Sequence, residues 1–288
     1  MSLQRINNNT MKRHILIITT LLSIFIFSCK EKSEEQKITI KVENVEPKVN
    51  FNSLQTDFKK WWAYHSYNIS LSSNFIGLNE KAKKIDESIF LEKLTSGKFI
   101  PLKLKSLDGI SQYKLYKLGS IANKNIVSTI KNEALTKLKY YKMVGMSFPK
   151  FDFTDLKGNH YTNESTNGKI IVIKTWFINC KACIAEFPEL NELVKKYKDS
   201  KDVIFLSLAL DSKPKLEKFL KKRMFEYKIV PNQKEFIDKK LNLQIYPTHI
   251  VLDKNGIILK VVNKASEMIS FLKKNRKANK NIEPPPPM

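Results

Sequence analysis

Ile170-Ile171-Val172-Ile173-Lys174-Thr175-Trp176-Phe177 and, after Ile178-Asn179, Cys180-Lys181-Ala182-Cys183 form the stretch on which the fold turns. The first eight residues are β-branched and apolar on both faces, the composition of a central strand covered by helices on both sides. Beyond them Cys183, Phe187, Leu190, Val194 and Tyr197 recur at gaps of four, three, four and three, one stripe of a helix. A strand therefore runs into a helix, with Cys180 at the helix N-terminus. The positive end of a helix dipole stabilises a thiolate, the reactive form of cysteine. Two cysteines three positions apart are the smallest unit that can form, break and pass on a disulfide.

The neighbouring segments extend this unit. Phe148 to Phe153 and the turn Lys157-Gly158-Asn159 predict an edge strand and hairpin. Val203 to Leu210 predicts a strand, Pro214 to Arg223 a helix, Tyr227 to Val230 a short strand and Lys234 to Leu241 a helix. Thr248 to Asp253, the turn Lys254-Asn255-Gly256 and Ile257 to Val262 predict an antiparallel hairpin, and Ser266 to Lys274 a closing helix. Alternating β and α elements followed by a hairpin and a helix define an α/β domain over 146–275, a mixed sheet with helices on both faces.

Residues 51–145 predict a smaller, mainly helical region without a chemical motif. Phe58 to His65 predicts an aromatic-rich helix whose rings form a small core. Phe99 to Lys105 predicts a strand. Val127, Ile130, Ala134, Leu138 and Tyr141 predict a second helix, with Gly145 as its cap.

The net charge is +23, yet the lysines are spread through every segment without a dense basic block. They predict a solvated surface that favours anionic lipid or acidic partners. No nucleic-acid motif accompanies them, so no nucleic-acid partner is expected. Residues 1–28 predict a signal peptide: Met11-Lys12-Arg13-His14 supplies the positive start, and Ile15 to Phe27 an apolar run too short to span a bilayer comfortably. Ile26-Phe27-Ser28-Cys29 resembles the bacterial lipobox, which implies lipidation at Cys29, although Phe27 departs from the usual pattern. An ordinary secretory signal and an uncleaved anchor are the alternatives. With Cys29 lipidated, the three cysteines leave one pair, Cys180 and Cys183. Residues 29–50 are charged and predict a flexible tether, and the tail 276–288, ending Pro284-Pro285-Pro286-Pro287, predicts disorder.

The order of elements, with CxxC after the first core strand, resembles the thioredoxin superfamily, and more closely its TlpA/ResA-like thiol–disulfide oxidoreductases. Four features carry the likeness: Trp176-Phe177 leading into Cys180 and Cys183; Glu186 and Pro188 in the following helix; Tyr246-Pro247-Thr248; and Asp253-Lys254-Asn255-Gly256-Ile257. The resemblance implies a thioredoxin-like fold and a membrane-tethered oxidoreductase of the bacterial cell envelope, facing the periplasm. It would reduce disulfides of exported proteins, for instance in cytochrome c maturation. Its partners are exported protein thiols and disulfides and a membrane or periplasmic electron donor. No cofactor is implied beyond a redox-active disulfide Cys180–Cys183. Cys180 is the implied nucleophile and Cys183 the resolving thiol. Glu186 is implied in proton transfer, with a pKa raised by partial burial; a surface glutamate on a charged helix is the alternative. Pro188 is expected to kink the helix, since it removes one backbone donor. Trp176, Tyr246, Pro247 and Thr248 are expected around the substrate groove, Tyr246-Pro247 as a cis peptide.

Lys174 stands where many thioredoxins have a buried aspartate. A buried lysine needs a partner, and pairing with Glu186 beneath the disulfide is expected; snorkelling outward is the alternative. Lys181 adds positive charge beside the cysteines, and both lysines are expected to tune the thiolate pKa. Two other functions compete: a metal site drawn from Cys180, Cys183 and His249, with only His65 and His160 to add, and a lipoprotein binding module with a structural disulfide.

Overall fold

The structure, a computed structural model, describes residues 47, 49–107 and 109–278. The signal peptide, Cys29, nearly all of the tether and residues 279–288 of the tail lie outside the described residues.

The apolar run that opens the sequence is β7 (Ile170–Trp176), buried along its whole length. It lies at the centre of a five-stranded sheet of order β11-β10-β7-β8-β9. β8 (Val203–Ala209) and β9 (Lys228–Val230) continue in parallel, while β10 (Thr248–Leu252) and β11 (Ile258–Val262) form the antiparallel side. The strand period of two then sorts the side chains. Val172 and Trp176 face a core made with α5 (Lys181–Ala185), α6 (Phe187–Lys196), α7 (Lys213–Leu220) and α8 (Ala265–Ala278). Ile171 and Ile173 face a second core, filled by Phe148, Phe151 and Phe153 beside the hairpin of β5 (Asp152–Thr154) and β6 (His160–Thr162), and by Ile237. Mixed strand directions with helices over the sheet make this the thioredoxin-like fold.

The helix after the cysteines breaks at Glu186, in keeping with the kink expected from Pro188, which is the second residue of α6 and offers no backbone N–H to continue α5. Two local expectations are corrected. The helix expected over 234–241 is a π-helical turn, Phe236–Lys240. α8 runs on to Ala278, into the segment expected to be disordered.

The N-terminal region is rich in helix, with α1 (Phe51–Thr56), α2 (Phe58–Asn68) and α3 (Glu87–Thr95), but its centre is a sheet of which the sequence showed only the strand from Phe99. β1 (Phe75–Leu78), β2 (Lys84–Ile85), β3 (Phe99–Leu107) and β4 (Ile110–Lys117) lie in the order β2-β1-β4-β3. Trp61, Phe90, Leu102 and Leu115 share its core. Gly77 in β1 is needed there, since a Cβ would lie 2.7 Å from the Phe90 ring.

At residue 145, where the two regions are expected to meet, the chain stays packed. α4 (Lys124–Met143) sends Ile126, Ile130 and Ala134 into the N-terminal core and Tyr140 into the second core of the thioredoxin-like domain. Tyr140, not the expected Tyr141, turns inward; Tyr141 is exposed. After Gly145, at φ +85°, the chain pairs with the edge of β11 through Gly145 N–H to Ile258 O and Ile258 N–H to Met146 O. One rod-like helix thus belongs to both regions.

Candidate active site

The loop Phe177–Asn179 carries the chain from the end of β7 to α5. It is held by the Asp211 carboxylate, which accepts from Ile178 N–H at 2.8 Å. Cys180 is the N-cap of α5 and is joined to Cys183 in a disulfide, with the two Cα atoms 5.2 Å apart. Cys183 is fully enclosed and Cys180 is 7% exposed, so of the pair only the Cys180 residue reaches the surface. Cys183 N–H points at Cys180 Sγ from 3.2 Å. In the dithiol state that N–H is a donor to a Cys180 thiolate, and hydrogen bonding to the charged form favours it. The local donor matters more here than a long dipole, because α5 has only five residues.

On the same face of the sheet as the disulfide lies a buried charged cluster. Lys174 and His249 are direct cross-strand partners in the β7–β10 ladder, so both side chains rise on the disulfide face. Each reaches Glu186 Oε2, Lys174 Nζ at 2.5 Å and His249 Nε2 at 3.0 Å. Glu186 Oε1 accepts from Ala265 N–H, at the first residue of α8, at 2.8 Å. Burial pushes the Glu186 carboxyl up, but His249, Lys174 and their hydrogen bonds outweigh it and hold the pKa down at about 2. The direction is opposite to the expected upward shift: the cluster holds Glu186 as an anion at neutral pH. Burial lowers the pKa of Lys174 against the pull of Glu186, and lowers that of His249 likewise. A neutral His249 must carry its proton on Nε2 to meet the carboxylate. Its Nδ1 is buried and has no partner among the described residues.

The other expected residues part company. The Tyr246–Pro247 peptide is cis. Tyr246 is half-buried and meets the Phe177 ring edge-on at 5.5 Å, beside exposed Ile245. Pro247 is buried. Trp176, expected in the groove, is instead sealed in the core, its indole N–H on Ser207 Oγ and its ring against Phe187 and Phe225. Thr248 also leaves the groove, because strand alternation turns its side chain to the opposite face of the sheet. Lys181 is exposed. Both sulfurs are engaged with each other and His249 with Glu186. Among the described residues no group of three His, Cys, Asp or Glu could hold a metal ion.

Sequence reasoning missed His249 as a partner of Glu186. Laying β10 antiparallel to β7 would have placed it opposite Lys174. It also missed Asp211, Asn263 and Tyr140, for which no local pattern gives a signal.

A CxxC disulfide at a strand-to-helix junction of a thioredoxin-like fold, whose preceding loop packs through Phe177 on Tyr246 of a cis-proline loop, defines a class of redox proteins. The AhpC/TSA family matches residues 144–261. Thiol-disulfide oxidoreductase ResA of Geobacillus kaustophilus is 30% identical over 119 residues, spanning 41% of this chain and 68% of that protein. The thioredoxin-like protein YneN of Bacillus subtilis is 28% identical, over 40% of this chain and 68% of the relative. Among solved structures, a thiol-disulfide oxidoreductase from Bacteroides fragilis covers 45% of this chain and 99% of its own, at 24% identity and a TM-score of 0.41. The chain belongs to the ResA-like thiol–disulfide oxidoreductases.

Proposed function

We propose that this protein is a lipid-anchored reductase of disulfides in exported proteins, tethered through Cys29 to the bacterial envelope on the periplasmic side. Cytochrome c maturation is one such setting. The observation that supports the reading most directly is the asymmetry of the pair: Cys180 at the N-cap, slightly exposed and facing an N–H donor, and a fully enclosed Cys183 behind it. In the dithiol form the Cys180 thiolate attacks one sulfur of a substrate disulfide, and the other substrate sulfur leaves and takes up a proton. Cys183 then attacks Cys180 Sγ, and the second substrate thiol departs. Two electrons pass to the substrate, and a dithiol donor on the membrane side must restore the reduced form. No helix among the described residues is long and apolar enough to cross a membrane.

The test is Cys183→Ser expressed in cells. A covalent adduct on Cys180 that dissolves with reductant, and that Cys180→Ser lacks, is expected. Its absence, together with no labelling of reduced Cys180 by iodoacetamide, would return the protein to a binding module with a structural disulfide. Radiolabelled palmitate in the mature chain, lost in Cys29→Ala, checks the anchor.

A further inference from the structure

Two tied carbonyls frame the Tyr246–Pro247 loop. Thr248 Oγ1 donates to Ile245 O at 2.6 Å, and Asn263 Nδ2 donates to Pro247 O at 3.0 Å. The backbone N–H and C=O of Tyr246, between them, take no hydrogen bond among the described residues. They are free to pair with an extended chain laid beside the disulfide.

The groups that set this frame are themselves held from outside the domain. The Thr248 hydroxyl spends its proton on Ile245 O, so it accepts from Tyr140 O–H, at 3.2 Å. Asn263 Nδ2 also lies 3.0 Å from Tyr140 Oη and 3.1 Å from Thr248 Oγ1. Lys137, one turn earlier on α4, donates to Asn263 Oδ1 at 3.4 Å and so fixes which way the amide faces. Tyr140 and Thr248 are buried, and α4 is anchored at its other end in the N-terminal core. A helix locked at both ends is a stiff brace, and donors held in place in advance lower the ordering cost of binding.

We infer that the N-terminal region is part of the substrate-recognition machinery. Through Tyr140 and Lys137 it holds the Ile245–Thr248 loop in the shape that receives an extended segment of a disulfide-bearing polypeptide. Tyr140 and Lys137 are positioning residues: neither touches the sulfurs, and they act through Thr248 and Asn263. The inference rests on the oxidoreductase reading above, and it gives residues 51–145 a task that the cysteines alone do not explain.

The experiment uses the full chain in its dithiol form and two probes: a quenched-fluorophore peptide disulfide with extended arms, and the small disulfide 5,5′-dithiobis(2-nitrobenzoate). In both, the Cys180 thiolate attacks a probe sulfur and a probe thiolate leaves. Tyr140→Phe keeps the ring and removes only the hydroxyl. It is expected to raise the peptide concentration at half-saturation about three- to tenfold, the change that one or two buried neutral hydrogen bonds produce. The limiting rate and the reaction with the small disulfide are expected to stay as in wild type. Lys137→Met is expected to move half-saturation the same way, by about two- to threefold, and serves if Tyr140→Phe does not fold. Unchanged half-saturation in the folded variants, or an equal loss toward both probes, overturns the inference. An unmutated protein inert toward both probes overturns the oxidoreductase reading and this inference with it. An active one indifferent to Tyr140 and Lys137 overturns this inference alone.

Discussion

Each region of the molecule buries a histidine against a glutamate. In the N-terminal region His65 Nε2 meets Glu133 Oε2 at 2.7 Å, and in the thioredoxin-like domain His249 Nε2 meets Glu186 Oε2 at 3.0 Å. In both, the histidine Nδ1 is buried and has no partner among the described residues. The surroundings differ. Glu133 is partly open to solvent, and His65 stacks on Trp61 at 4.7 Å. Glu186 is more enclosed and also carries the ammonium of a fully buried lysine and a helix N-terminal N–H, beside the disulfide. The same pair is one carboxylate with a single ion-pair partner among the described residues in one region and the hub of a more enclosed cluster, in direct contact with both a lysine and a histidine, in the other. The number of partners and the access of water decide which, because a charge without a partner is costly only where water cannot replace it.

Breaking the two pairs at their glutamates is expected to separate them most. Glu186→Gln strands Lys174 in the core and is expected to lower unfolding free energy by about 3–5 kcal/mol. Glu133→Gln, more open to water, is expected to cost about 1 kcal/mol; urea melts at neutral pH compare the two. Acid sharpens the contrast next. The folded Glu186 pKa of about 2 lies below its ordinary value of 4.5, so its stabilisation is complete above that ordinary value and is lost as pH falls toward 2. His249, lowered by burial, also loses stability for the fold as pH drops below its ordinary value of 6.5. The acid loss is expected to be much shallower in Glu186→Gln, and equal slopes in the two melts would contradict the cluster.

A smaller effect probes the N-terminal core. Gly77→Ala presses on Phe90 and is expected to destabilise by about 1–3 kcal/mol. The rate at which reduced Cys180 meets a small disulfide is expected to stay as it was. The smallest effect concerns tuning. Lys174→Met leaves the Glu186 anion without its nearest cation and is expected to raise the Cys180 pKa by about half a unit to one unit. The pH dependence of iodoacetamide labelling measures it, and no change would remove Lys174 from the tuning of the thiol.

Legibility followed the range of the forces involved. β7, β8, β10 and β11 stand within a residue or two of their expected limits, because apolar runs between turn residues are local signals. The N-terminal sheet was read only at β3. The short β1 and β2, at four and two residues, and the polar alternation of β4 carry too little pattern to separate them from loop. In α4 a stripe through Val127 and Tyr141 competed with one through Ile126 and Tyr140, and the second core decided for the latter. At the site, the cysteine pair and the Lys174–Glu186 contact were legible from spacing and from the oddity of a lysine in an apolar strand. The protonation state of Glu186 was not.

From the sequence alone came the strand, the turn into a helix and the two sulfurs at that turn, since each is fixed by neighbours within a few residues. Only the tertiary structure made Glu186 an anion, sealed Trp176 away from the groove, turned Thr248 to the far face and ran one helix through two cores. Those outcomes depend on side chains brought together from Lys174, His249, Ala265 and Tyr140, and the free energy of a buried charge or hydroxyl is set by what surrounds it in space.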